Sequence, residues 1–260
     1  MRRRPSPASS RKDLLAPFVV PEGSRDGWED EVSADREQVQ RNVETVVSAI
    51  AAAASRVGRD PRDVSLIAVT KTVDVERIRW AVDAGVQALG ENYVQELRRK
   101  HDAIPGVSWH YIGTLQSSTA HQVADHADVV QTIAGERAAR RLAGRAVRSG
   151  RSLDALIEVD LTEGRAGVRP EELPAFADLV GSLEGLRLVG LMTMPPIPTD
   201  PEDSRPFFAE LRRLREALQE RHPDVLESSM GMSLDYEVAV EEGATMVRIG
   251  TAVFGPRQRQ

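Results

Sequence analysis

The sequence predicts a (β/α)8 barrel, and three observations predict it. Short apolar runs rich in β-branched residues alternate with amphipathic helical stretches from about residue 64 onward. Alternation of this kind means a parallel sheet covered by helices. The repeating units occupy about 200 residues, which suits a closed barrel of ~250 residues in all. Finally, no G-x-G-x-x-G follows the first strand, which weighs against a doubly wound dinucleotide-binding sheet, the second choice of fold.

Each element has its own signal. Residues 1–30 contain Pro5, Pro7, Pro17, Pro21 and Gly23, and they read as a disordered extension. From about Val32 to Val57, the residues Val39, Val43, Val46, Val47, Ile50, Ala53 and Ala54 recur at helical spacing and predict a long amphipathic helix. Strands are expected at 64–70, 86–90, 108–112, 127–132, 153–160, 186–192, 225–228 and 245–249. The helices between and after them are expected near 74–84, 93–103, 116–125, 136–149, 171–181, 203–221 and 234–242. Pro170 precedes the acidic opening of one helix, and Pro223 closes another. The long N-terminal helix completes the outer ring, so the barrel is expected over residues 31–257.

Composition narrows the function. Of 260 residues, 41% are hydrophobic and 28% charged, the mix of an ordinary globular protein. The formal net charge of -6 argues against a nucleic-acid partner. There are no cysteines, which excludes disulfides, thiolate nucleophiles and cysteine metal sites. No apolar stretch approaches the ~20 residues of a membrane span, and no apolar core follows Arg2-Arg3-Arg4 to make a signal peptide. A cytoplasmic location is the expectation. No H-E-x-x-H or similar spacing predicts a metal site.

In a barrel, chemistry gathers at the C-terminal ends of the strands. Lys71, Asn92, His110, Met192, Ser229 and Arg248 fall there. Lys71 ends the run Val64-Ser65-Leu66-Ile67-Ala68-Val69-Thr70-Lys71. An amine at the mouth of a buried strand either snorkels to solvent or meets a chemical need. Partial burial lowers a lysine pKa, and the neutral amine attacks carbonyls. Ser228-Ser229-Met230-Gly231-Met232-Ser233 lies between the seventh strand and a helix, where small residues expose N–H groups to an anion. Arg248-Ile249-Gly250-Thr251 ends the eighth strand and offers the same chemistry. Strands seven and eight are where barrels commonly bind phosphate. A phosphate site beside a reactive lysine suggests a phosphorylated aldehyde: a sugar phosphate in an aldolase, or pyridoxal 5'-phosphate.

The chain resembles the pyridoxal phosphate homeostasis protein family, whose barrel is similar to the N-terminal domain of alanine racemase. The segments that carry the resemblance are Leu66–Lys71, Gly90-Glu91-Asn92-Tyr93-Val94-Gln95-Glu96, Trp109-His110-Tyr111-Ile112-Gly113, Gly190-Leu191-Met192, Ser229–Ser233 and Met246–Thr251. They lie within residues 35 to 257. The resemblance implies pyridoxal 5'-phosphate held by Lys71 as a Schiff base (an aldimine). It also implies a phosphate cradle of Ser229, Gly231, Ser233, Gly250 and Thr251, with Arg248 against the pyridine nitrogen and Asn92 and Met192 lining the ring pocket. A guanidinium there keeps the nitrogen unprotonated, which weakens the ring as an electron sink.

Two departures from the family pattern stand out. Leu115-Gln116-Ser117-Ser118-Thr119 lacks the lysine usual in that segment, and Arg165 stands about where a lysine is common. His110 is open to two readings, a hydrogen-bonding group or a base, and the first is preferred. Glu91 is similarly open: it could pair with an inward arginine, and nothing in the sequence makes it a general base.

Alanine racemase needs a tyrosine from a second domain as its opposed base. Here Tyr93, Tyr111 and Tyr236 all fall in barrel elements, and the sequence ends nine residues after Thr251. A monomeric carrier or buffer of the cofactor, with apo-enzymes as possible recipients, is therefore expected over a racemase.

Overall fold

In the computed structural model, which describes residues 25–162 and 164–256, eight parallel strands follow one another in chain order around a closed barrel. They are β1 (Ser65–Val69), β2 (Ala88–Glu91), β3 (Ser108–Tyr111), β4 (Val129–Ile133), β5 (Leu153–Glu158), β6 (Leu186–Met192), β7 (Glu227–Ser229) and β8 (Met246–Ile249). Closure is made by β8 against β1, with Ser65 opposite Met246 and Ile67 opposite Arg248. An open doubly wound sheet would leave two unpaired edges, so this pairing decides between the two expected folds. Strands between helices and barrel interior are covered on both faces, and all five residues of β4 are buried.

The outer ring consists of α1 (Arg25–Arg56), α2 (Val75–Asp83), α3 (Val94–Ala103), α4 (Ala120–His126), α5 (Glu136–Arg148), α6 (Leu173–Gly181), α7 (Arg205–Gln219), α8 (Tyr236–Glu241) and α9 (Thr251–Phe254). In α5 the buried face is Ala138, Ala139, Leu142, Ala143 and Ala146, a stripe at helical spacing. Likewise α1 buries Val39, Val43, Val46, Ile50, Ala53 and Ala54. It lies along α8, α2 and α9 and covers the seam where the barrel closes.

Four differences from expectation stand out, beside shifts of one to three residues at other element ends. The first helix starts at Arg25, not near Val32. Its added turns read RDGWEDE, a charged sequence with no apolar stripe, so periodicity begins the helix late. Residues 25–30 of the expected extension are therefore helical, and residues 1–24 lie outside the described residues. The helix expected from 116 starts at Ala120, because residues 116–119 form a turn closed by Thr119 N to Gln116 O at 3.1 Å. Pro201–Ser204 is a separate 3-10 turn ahead of α7. The helix α9 was not expected, since four residues are too few to show a period.

Two features at the barrel top set the site. A Cβ on Gly113 would lie 1.9 Å from Asn92 O, so only glycine lets the loop after β3 pass the loop after β2. Trp109 anchors the same region from below, fully buried with its indole N–H on Ile104 O at 3.3 Å. Among the described residues, no helix is long and apolar enough to cross a membrane, and no group of three or more His, Asp or Glu is placed to hold a metal.

Candidate functional site

A cavity of about 580 Å³ opens at the C-terminal end of the barrel. Of the expected site residues, Lys71, Asn92, Met192, Ser233, Arg248, Gly250 and Thr251 line it. These come from five different βα connections or strand ends, so only barrel closure brings them together. Ser229 and Gly231 are not among the lining residues.

Lys71 stands two residues beyond β1, between the buried Thr70 and Thr72. Thr72 has φ 64°, in the left-handed region that a β-branched residue rarely enters. Asn92 follows β2, and its Oδ1 is buried with no hydrogen-bond partner in the protein. An orphaned buried acceptor on a cavity wall is a group that a ligand donor or a water would satisfy. Met192 packs with Val129 and Leu156 inside the barrel. Beside β1, after β8, α9 begins at Thr251, where first-turn N–H groups lack intrahelical partners. One of them, Ala252 N, reaches Ser233 Oγ at 3.4 Å. Asp235 Oδ1 holds Met232 N at 2.7 Å and shapes the turn that presents Ser233.

Arg248 is buried on the cavity floor. It donates to Ser229 Oγ at 2.6 Å and to Thr193 O at 2.9 Å. Burial lowers its pKa to about 10, against the pull of Glu158 and Asp235, so it stays charged at neutral pH. Ser229 is fully buried and supports Arg248 from behind, where the sequence reading had placed it in the cradle. It lies in β7, and strand geometry turns its hydroxyl into the barrel interior. Gly231 shapes the turn after β7 through its backbone: φ is +90°, and its carbonyl accepts Arg248 N at 3.0 Å.

Sequence reasoning missed two acids in the cavity wall. Burial raises the Glu158 carboxyl to about 7, with Arg248 pulling down and Asp160 pushing up. For Asp160, burial opposes ionisation, but the N–H groups of Gly164, Thr162 and Arg165 prevail and hold it at about 2. The same signal that singled out Lys71, a charge at the end of an apolar strand, marks Glu158 in Leu153–Glu158. Arg165 donates to Met194 O and Pro195 O, both at 3.1 Å, and ties the loop after β5 to the loop after β6.

Two other polar residues stand apart from the cavity, and His110 takes the hydrogen-bonding role preferred for it. His110 does not line the cavity. It is buried inside β3 between Ser108 Oγ (3.1 Å) and Gln131 Nε2 (2.8 Å), and burial lowers its pKa to about 4. A neutral, enclosed imidazole is a hydrogen-bonding group. Glu91 pairs with Lys100 at 2.6 Å, not with an arginine.

The alanine racemase N-terminal domain family model matches residues 35–258. A pyridoxal phosphate homeostasis protein of Aquifex aeolicus is 38% identical over 218 residues, covering 82% of this chain and 96% of its own. Its namesake from Escherichia coli K12 is 37% identical over 226 residues, covering 84% and 97%. The solved structure of PipY from Synechococcus elongatus with PLP bound superimposes with a TM-score of 0.74 at 33% identity, over 84% of this chain and 100% of that one. D-Threonine aldolase from Filomicrobium marinum shares the fold alone, with a TM-score of 0.70 at 17% identity over 84% of this chain and 60% of its own.

Proposed function

We propose that this chain, which belongs to the pyridoxal phosphate homeostasis proteins within the alanine racemase N-terminal domain family, binds pyridoxal 5'-phosphate through Lys71 and buffers or delivers it without turning over a substrate. The observation that carries the reading is one cavity lined by Lys71 together with the turns after β7 and β8, with β8 paired directly to the strand that carries Lys71. The barrel of residues 31–257 is the binding unit.

The residues present fit this cofactor. Ser233, Gly250 and Thr251 offer hydroxyls and N–H groups to its phosphate. The unpartnered Asn92 Oδ1 offers an acceptor to a donor on the ring or its substituents. Met192 supplies apolar surface. The cavity volume lies in the ~300–1,000 Å³ range of small-molecule sites. When bound, the cofactor supplies an aldehyde carbon for Lys71 Nζ and a conjugated ring that withdraws electrons. Arg248 holds a positive charge at the cavity floor and disfavours a second one on a ring nitrogen beside it. That charge weakens electron withdrawal and suits storage over carbanion chemistry. Ser229 and Gly231 hold Arg248 without lining the cavity.

The tyrosines favour a carrier. Tyr111 is buried with its hydroxyl on Thr114 O at 3.3 Å, and none of Tyr93, Tyr111 and Tyr236 lines the cavity. A tyrosine base opposed to Lys71 is thus missing from its walls.

The test is the absorbance of the purified protein after incubation with pyridoxal 5'-phosphate, followed by borohydride reduction and mass spectrometry. A reduced adduct on Lys71, absent from Lys71→Ala, is expected. A protein that takes up no cofactor overturns the reading. Release of the α-proton from an amino acid at ordinary enzyme rates of ~1–1,000 per second overturns the carrier assignment in favour of a racemase-like enzyme.

A further inference from the structure

Lys100 lies in α3, outside the cavity, and is fully buried. Its Nζ sits 2.6 Å from each of three acceptors: Thr70 O, Glu91 Oε1 and Glu96 Oε2. An ammonium has three N–H donors, and all three are satisfied. Burying such a group is costly, and an apolar residue of similar volume often serves stability as well or better. The arrangement calls for an explanation beyond stability.

Its partners supply one, because they converge on the neighbours of Lys71. Thr70 O belongs to the peptide unit just before Lys71. Glu96 Oε2 also accepts Thr72 N at 2.9 Å, from the peptide unit just after it. Glu91 accepts Thr70 Oγ1 at 2.8 Å and Asn92 N at 3.1 Å. One side chain therefore ties down both flanks of Lys71 and the backbone of Asn92. Thr72 adopts its left-handed φ of 64° in this setting. Backbone strain of this kind persists only where the surroundings over-determine it, and it clusters at functional sites. The two carboxylates differ as their places require. Burial pushes Glu91 up against the pull of Lys100. For Glu96, Lys100 and Thr72 N–H outweigh burial and hold it low.

We propose that Lys100 is a positioning residue for Lys71: through Thr70 and Glu96 it fixes the peptide units on either side, so that the Lys71 amine is presented to a carbonyl carbon in the cavity. The inference rests on the cofactor reading above. The step served is a condensation in which Lys71 Nζ and the aldehyde carbon form a C=N bond and the aldehyde oxygen leaves as water. Pre-set geometry lowers the barrier to such a step and favours the bonded state, whereas the turns after β7 and β8 that would take the phosphate make no bond to Lys100, Glu91 or Glu96.

Two ligands separate these effects on the full chain. Pyridoxal 5'-phosphate has the aldehyde, and 4'-deoxypyridoxine 5'-phosphate carries a methyl group in its place. Lys100→Met is expected to weaken the aldehyde ligand by roughly 10-fold or more and to leave the methyl ligand within about two-fold of wild type. Glu96→Gln, at a half-buried position, gives the same selectivity at smaller size and decides the matter should Lys100→Met fail to fold. Equal losses for both ligands, or no loss for either, overturn the inference. A wild-type protein that binds neither ligand instead overturns the cofactor reading itself, before any variant is compared.

Discussion

Ser229 Oγ lies 2.7 Å from Gln131 Oε1 and 2.6 Å from Arg248 Nη1, and this pairing fixes the polarity of a buried chain of hydrogen bonds. A guanidinium only donates, so Ser229 accepts from Arg248 and gives its own proton to Gln131. Gln131 Nε2 then donates to His110 Nδ1, which leaves the imidazole proton on Nε2, facing Ser108 Oγ. The chain runs from the cation on the cavity floor down through the barrel interior.

Serines 229 and 233 should therefore fail differently. Ser229→Ala leaves Gln131 Oε1 unsatisfied and removes an Arg248 acceptor, at a cost of about 1–3 kcal/mol of stability. Ser233→Ala removes a hydroxyl from the cavity wall. It is expected to weaken pyridoxal 5'-phosphate roughly 10-fold, about the 1.4 kcal/mol of one hydrogen bond, with stability unchanged. Urea melts without ligand and titrations with it should separate the two. Equal melts for Ser229→Ala and wild type would contradict the supporting role.

These two serines also show what the sequence can reveal. The motif Ser229–Ser233 reads as one anion-binding unit, because small residues ahead of a helix look alike from first to last. The strand ends at Ser229, so the first serine turns into the barrel and the last faces the cavity. Lys71 and Arg248 were legible because a charge at the end of an apolar run stands out locally. Gln131 was not, because its partner lies 98 residues away. Lys100 stayed hidden inside the charged run ELRRKHD, which reads as a solvent-facing helix until β2 is folded against it. Barrel closure itself was legible from the number of alternating units.

The pH dependence of stability should hide two opposing slopes. His110 has a folded pKa of about 4, below its unfolded 6.5. The unfolded state binds the extra proton between those values, so this group contributes stability that is lost as pH falls from 6.5 to 4. Glu158 has a folded pKa of about 7, above its unfolded 4.5. There the folded state binds the extra proton, and stability is lost as pH rises from 4.5 to 7. Each shift amounts to about 3 kcal/mol at most. Between pH 4.5 and 6.5 the two nearly cancel. Glu158→Gln is expected to expose the histidine slope, with stability rising with pH across this window. His110→Gln should expose the opposite slope. Parallel profiles for both variants would refute the pairing.

Gly231→Ala tests the backbone of the cradle. A Cβ there would lie 2.5 Å from the Ala239 Cβ, on a residue whose φ of +90° disfavours any side chain. The Gly231 carbonyl holds Arg248 N, so relief by movement displaces the guanidinium strand. A loss of roughly 1–3 kcal/mol in stability is expected. Weaker cofactor binding should accompany it. A variant with wild-type melting and affinity would show that the turn tolerates a side chain and does not set the cradle.

Arg165 makes the last prediction, one about rates. Its guanidinium holds Met194 O and Pro195 O, while its own backbone N–H is held by Asp160 Oδ2 at 3.0 Å. Asp160 also holds Thr162 N and Gly164 N, at 2.8 and 2.9 Å, so one carboxylate gathers three N–H groups after β5. Arg165, Met194, Ile197 and Pro198 all line the cavity, with Ile197 77% exposed at its rim. The strap therefore joins two loops at the mouth of the cavity. Its loss should act mainly on escape from the cavity, since contacts that hold a closed state govern dissociation more than encounter. Arg165→Ala is expected to speed release of bound pyridoxal 5'-phosphate by roughly 3- to 10-fold with little change in the rate of uptake. Dilution of the loaded protein into excess 4'-deoxypyridoxine 5'-phosphate, followed by absorbance, measures the release. An unchanged release rate would show that the two loops separate too readily for the strap to hold them.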